Sequence, residues 1–159
     1  MGSGSESSAT SFADDTDIAA LLQFEHWIIV GLRDSAIRPA WGVSRYLQSI
    51  GKHIYPVHPH PQPVHGRVGY ATVADACAAI ADECGDEALS HTVVDCFVNS
   101  ERVGGVVDEA IAAGVGGVWL QLQVIDDAAV QRAQDAGLRA VMDRCPAIEA
   151  PVRGSPAAH

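Results

Sequence analysis

Short apolar runs alternate along the chain with stretches in which apolar residues recur at helical spacing. The runs are centred on Trp27-Ile28-Ile29-Val30, Ile54-Tyr55-Pro56-Val57, Val93-Val94-Asp95-Cys96-Phe97, Val118-Trp119-Leu120 and Ala140-Val141-Met142. Unbroken apolarity over so few residues predicts strands buried on both faces, here at about 26–30, 53–57, 92–97, 117–120 and 138–142. The stretches between them predict helices. A short first helix carries Ile18, Leu21, Leu22 and Phe24, with Thr16 or Asp17 as its cap. A second covers about 40–50, with Val43, Leu47 and Ile50 on one face and Gly51 as its stop. Thr72 followed by Asp75 reads as a capping box opening a third, through Ile80. Ser100 caps a fourth that closes at Gly114, and Asp126 or Asp127 caps a fifth that ends at Gly137.

Five buried strands separated by helices make a parallel sheet covered on both faces, a Rossmann-like three-layer α/β fold. The expected strand order is 3-2-1-4-5, with strands one and four diverging at a switch point. Ligands of such sheets bind outside the carboxyl ends of the strands beside that point. The domain spans residues 16–150. Residues 1–15, rich in Ser, Gly, Thr and Asp, read as a disordered leader, and 151–159 as a disordered tail.

At 159 residues and 48% hydrophobic, the chain can bury one domain's core. Its formal net charge is −10 and its single lysine is Lys52. That field excludes nucleic acid and anionic membrane surfaces as partners. No apolar run reaches the length of a membrane span and no signal peptide is visible, so the chain reads as cytoplasmic. A small phosphorylated ligand stays open, because acids more than roughly 10 Å away are screened. Cys77, Cys84, Cys96 and Cys145 show no C-x-x-C pairing and read mostly as buried thiols, not as a zinc site.

The chemistry concentrates where the first strand ends. Gly31 there permits a tight turn and a close backbone approach, as a phosphate loop needs. A dinucleotide fingerprint would need two further glycines, and Arg33 and Ala36 stand in their places. The second strand ends in Val57-His58-Pro59, without the acid that would hold a ribose. Both features argue against NAD. Arg33 and Arg38 can make charge-assisted bonds to phosphate, Ser35 can donate a hydroxyl, and Pro39 pre-sets the helix entry. His53, His58, His60 and His65 lack metal-site spacing, and His58 is instead a candidate contact for a nucleotide. No Ser-His-Asp arrangement or nucleophile elbow is recognisable, so no catalysis is evident.

The words Val30-Gly31-Leu32, Arg38-Pro39, Gly42-Val43, Tyr55-Pro56-Val57-His58-Pro59, Val94-Asp95-Cys96-Phe97, Glu109-Ala110-Ile111, Val118-Trp119-Leu120-Gln121 and Val141-Met142-Asp143-Arg144-Cys145-Pro146 carry a resemblance. In this order the chain resembles the small stand-alone CoA-binding proteins, which are similar to the N-terminal CoA-binding domain of the succinyl-CoA synthetase alpha subunit. The resemblance covers about residues 18–149. It implies a Rossmann-like domain that binds coenzyme A or a short acyl-CoA. It also implies a site: Gly31, Leu32, Arg33, Ser35, Ala36, Arg38 and Pro39 toward the phosphates; Val57, His58, Pro59, Phe97, Val98 and Asn99 around the adenosine; Trp119 and Gln121 toward the pantetheine.

Relatives commonly carry Ser at the position of Arg33, Asn at that of His58 and Arg at that of Val98. Arg33 would then supply, from another loop, the charge missing at Val98. The synthetase needs a second domain bearing a phosphorylated histidine and a separate subunit, so this chain is not expected to be a complete synthetase. Two other classes remain: an enzyme dependent on NAD(P) or a nucleotide sugar, and an interaction subunit with a decayed nucleotide site. No particular protein partner is indicated.

Overall fold

The computed structural model describes residues 15–153. The expected leader (1–15) and tail (151–159) lie outside the described residues except at their inner ends, where Asp15 opens the first helix and Pro151 and Val152 close the last, against the expected disorder there. Six helices and five strands alternate in order. They are α1 (Asp15–Leu22), β1 (His26–Val30), α2 (Pro39–Ser49), β2 (His53–Val57), α3 (Val73–Cys84), a 3-10 turn (Asp86–His91), β3 (Thr92–Cys96), α4 (Ser100–Ala113), β4 (Gly117–Leu120), α5 (Asp127–Asp135), β5 (Arg139–Val141) and α6 (Pro146–Val152). All neighbouring strands are parallel.

The sheet order is β2-β1-β3-β4-β5, which corrects the expected 3-2-1-4-5. The physical reason is Pro56. A proline cannot donate to a ladder, so it belongs at a sheet edge rather than inside it. The expected order would have put β2, and Pro56 with it, between two neighbours. In the structure β2 is the edge strand, and the one strand residue paired with Pro56 is Ile29 of β1. The switch point therefore lies between β1 and β3, not between strands one and four.

Although the strands read as unbroken apolar runs, they feed two separate cores by alternation. Ile28, Val30, Val94, Cys96, Val118 and Leu120 face α3, α4 and α5. Trp27, Ile29, Ile54, Val93, Trp119 and Val141 face α1, α2 and α6. Trp27 and Trp119 meet at 5.7 Å between ring centroids.

The caps follow local chemistry, with two corrections. Asn99, not Ser100, caps α4; its side chain accepts from the Arg102 N–H at 3.0 Å. The Ser100 hydroxyl instead accepts from the Ile125 N–H at 2.9 Å, tying α4 to the loop after β4. Thr16 and Asp17 lie inside α1 rather than ahead of it, and Asp17 pairs with Arg139 of β5 at 2.9 Å. Thr72 caps α3 and Asp126 caps α5. Replacing Asp126 by Ala should cost about 1 kcal/mol, read as a lower denaturation midpoint, because the Ala129 N–H loses its acceptor. Helix α6 was not expected. It runs through Pro151, and Arg153 behind it pairs with Glu149 and with Asp15, both at 2.6 Å.

Candidate functional site

The carboxyl ends of β1 and β3 come together at Gly31. This residue has φ +95°, and its N–H donates to the Val57 carbonyl at 2.8 Å while the Phe97 N–H donates to the Val30 carbonyl at 2.9 Å. A Cβ at position 31 would stand 2.5 Å from the Phe97 carbonyl oxygen. Only glycine lets the two chain segments approach this closely.

A crevice opens above this corner in two adjoining halves that share Gly31, Arg38, Phe97, Val98 and Asn99. The first half, about 670 Å³, is also lined by Val57 at the end of β2 and His58, Pro59 and His60 from the loop after it, by Thr72 and Val73 at the start of α3, and by Arg33, Arg102, Val106 and Glu109. The second, about 460 Å³, is lined by Pro39, Ala40 and Val43 of α2, by Gln121, Leu122 and Val124 after β4, and by Cys145.

Three arginines meet at the first half from three different elements: Arg33 from the β1–α2 loop, Arg38 at the start of α2, and Arg102 from the first turn of α4. Among the described residues none of them pairs with a carboxylate, whereas Arg132, Arg139, Arg144 and Arg153 all do. Glu109 is two helical turns beyond Arg102, about 10 Å along α4. Asp34, in the same loop as Arg33, accepts from the Trp41 indole N–H at 3.2 Å and forms an ion pair with none of the three. Arg38 precedes Pro39 without a side-chain cap, which leaves the first turn of α2 open to an anionic group.

His58, the first residue of the loop after β2, lines the same half as these arginines. Burial lowers its pKa, and the Arg33 guanidinium and His60 push it further down. Its Nδ1 accepts from the His60 N–H at 3.0 Å, so the neutral ring carries its proton on Nε2. That leaves a donor for a ligand.

The structure divides the expected site residues. Gly31, Arg33, Arg38, Pro39, Val57, His58, Pro59, Phe97, Val98, Asn99 and Gln121 line the crevice. Leu32 is 1% exposed and packs in the core beneath it. Ser35 and Ala36 lie in the β1–α2 loop but line neither half. Trp119 is fully buried, and its indole N–H donates to the Arg144 carbonyl at 2.8 Å, so its side chain is structural. Sequence reasoning missed Arg102. Its signal was its place three residues after Asn99, because the first turn of a helix that follows a strand's carboxyl end faces the crevice.

Two buried polar groups here lack partners. The Gln121 side-chain carbonyl has no hydrogen bond, although the residue is 6% exposed and lines the second half. Asp95 is fully buried on β3, with neither carboxyl oxygen bonded. It stands in register with Ile29 and Trp119, on the face covered by α1, α2 and α6. Burial raises its pKa well above the ordinary aspartate value. The folded chain therefore holds this proton more tightly than the unfolded one, and stability falls as pH rises above about 4. Asp95→Val should raise the unfolding free energy by about 1–3 kcal/mol at neutral pH and remove that part of the pH slope. Urea titrations at several pH values between acid and neutral test both effects.

Among the described residues no helix is long and apolar enough to cross a membrane, and no group of three or more His, Cys, Asp or Glu could hold a metal ion. The chain is similar to two solved structures across most of their lengths. One is Prb, described as PH1109 protein redesigned for binding, at 32% identity and TM-score 0.76, covering 92% of this chain and 96% of that one. The other is a hypothetical protein from Pyrococcus horikoshii OT3, at 32% identity and TM-score 0.75, covering 87% and 91%. The uncharacterized protein YneT of Bacillus subtilis (strain 168) is 26% identical over 117 residues, 74% of this chain and 78% of that protein. Residues 25–151, which carry every element from β1 to all but the last residue of α6, match the model of the CoA binding domain, and the chain belongs to that family.

Proposed function

We propose that the crevice binds coenzyme A or a short acyl-CoA, with the phosphates at Gly31, Arg33, Arg38 and Arg102 and the pantetheine arm along the second half. The convergence of three arginines free of carboxylate partners, in a chain of net charge −10, carries this reading. Such a cluster is costly to hold together unless an anion completes it. The polarity of the crevice matches the ligand. Its first half is cationic and rich in polar donors, as a nucleotide polyphosphate requires, and beyond the Arg38 and Asn99 it shares with the first, its second is apolar apart from Gln121 and Cys145, as a pantetheine chain requires. The role is that of a binding protein, such as a carrier or sensor. No group in the crevice is arranged as a nucleophile with a paired base.

NAD fits less well. Its ribose would meet His58 and Pro59 where an acid is needed. Calorimetry and thermal shift with CoA, dephospho-CoA and NAD test the proposal. At about 100 times its Kd, CoA should stabilise the fold by about 2.7 kcal/mol, and NAD should leave it unchanged. A weaker response to dephospho-CoA would mean that the 3′-phosphate is read. No response to any CoA species would overturn the proposal.

A further inference from the structure

The second half of the crevice is lined by a thiol. Pro39, Val43, Leu122 and Val124 form its apolar walls, and besides the Arg38 and Asn99 shared with the first half, Gln121 and Cys145 are its chemically distinct groups. Gln121 is buried, with an acceptor oxygen that no donor reaches. A buried unpaired carbonyl lining a pocket calls for an N–H from whatever fills it, and an amide-bearing chain supplies one.

Gln121 and Cys145 belong to different loops that are tied together. The Gln123 N–H donates to the Asp143 carboxylate at 2.7 Å, the Arg144 N–H to the Leu120 carbonyl at 3.4 Å and the Trp119 indole to the Arg144 carbonyl at 2.8 Å. Asp143 takes φ +60° to make this turn. The thiol and the amide acceptor are thus held in one frame.

We infer that Cys145 is a thiol–disulfide exchange site for coenzyme A, which takes one CoA half from a CoA disulfide and holds it as a Cys145–CoA mixed disulfide. The inference rests on the CoA-binding reading and adds a covalent step to it. The Cys145 thiolate attacks one sulfur of the CoA disulfide. The Cys145–CoA bond forms as the original S–S bond breaks, and the departing CoA thiolate takes up the proton that Cys145 gave. Cys145 is oxidised, one CoA half is reduced, and the disulfide is the only oxidant.

The other three thiols stand elsewhere. Cys77 and Cys96 are buried in the opposite core, and burial pushes the Cys77 thiol up to about 11. Cys84 is exposed at the end of α3. None of them lines either half of the crevice. No internal thiol is therefore placed to resolve the adduct, which persists until an external thiol releases it.

The test incubates the full chain, without reductant, with CoA disulfide and in parallel with glutathione disulfide. Adducts are located by peptide mass spectrometry and reversed with dithiothreitol. Cys145 should be modified by CoA disulfide at least tenfold faster than by glutathione disulfide. Exposed Cys84 should show no such preference and serves as the internal reference. Arg102→Ala should slow the CoA reaction at Cys145 and leave the glutathione reaction unchanged. Modification confined to Cys84, or equal rates with the two disulfides at Cys145, would overturn the inference. Calorimetry with reduced CoA separates the two claims. Binding without a Cys145 adduct sinks the covalent step alone, and absence of binding sinks both.

Discussion

Alanine at position 31 is expected to lower the unfolding free energy by about 2–4 kcal/mol and to abolish tight CoA binding in the fraction that still folds. Two costs add. The backbone holds φ +95°, where a side chain is strained, and the new Cβ would lie 2.5 Å from the Phe97 carbonyl oxygen and 3.1 Å from its carbon. Both atoms belong to backbone that is already hydrogen-bonded into the sheet, so no flexible side chain can yield. Relief requires β1 and β3 to part at their carboxyl ends, which displaces Phe97, Val98 and Asn99 from the crevice. Gly42→Ala is the matched control. Nothing lies within 4 Å of its would-be Cβ and it sits within α2, so the change should stabilise by about 0.5–1 kcal/mol. Urea unfolding of both variants beside the parent decides the matter. Equal midpoints for Gly31→Ala and the parent would mean that the corner has room to spare.

Removing Arg38 or Arg102 should weaken CoA binding by about ten- to a hundredfold each. A hydrogen bond to a charged group contributes about 1.5–3 kcal/mol, and about 1.4 kcal/mol corresponds to tenfold in Kd. Arg38 borders both halves of the crevice, where the proposed ligand would pass from nucleotide to pantetheine. Arg102 projects from the first turn of α4 into the same half as Arg33. The double variant should lose more than either single one, and the affinity of the parent should fall with added salt more steeply than that of the variants. Arg45, exposed on α2 and outside the crevice, provides the control that should leave Kd unchanged. Titration calorimetry at low and moderate salt reads all five proteins. If Arg102→Ala binds CoA as the parent does, the phosphates do not lie against α4.

Much of this architecture was legible because burial on both faces leaves an unmistakable trace. Each strand appears as a short apolar run, and Thr72 and Asp126 announce the helices they cap. The order of the strands was harder, since right-handed crossovers permit several arrangements and adjacency leaves no mark on periodicity. One residue did carry the answer. Pro56 lacks the N–H that an interior strand needs, and weighing it would have placed β2 at the margin. In the site, the glycine corner and two of the three arginines could be read from the loop after β1. Arg102 was missed, because a helical arginine on a surface looks like any other unless its place in the first turn after a strand's carboxyl end is weighed. Trp119 is the reverse case. A strand-end aromatic near the ligand's expected path proved to be wholly committed to the core and to the Arg144 carbonyl.

The proline that fixes the sheet order also shapes how this protein meets its own copies. A bare strand margin is a template on which another chain can add, and that is how many parallel sheets begin to aggregate. Along β2 the Pro56 position offers no donor, while its carbonyl is taken by the Tyr70 N–H at 2.8 Å and the Tyr70 carbonyl accepts from His58 at 3.0 Å. At the far margin β5 is only three residues long. With one flank stoppered and the other too brief to register a neighbour, neither margin of the sheet offers a ready template for a strand from another copy.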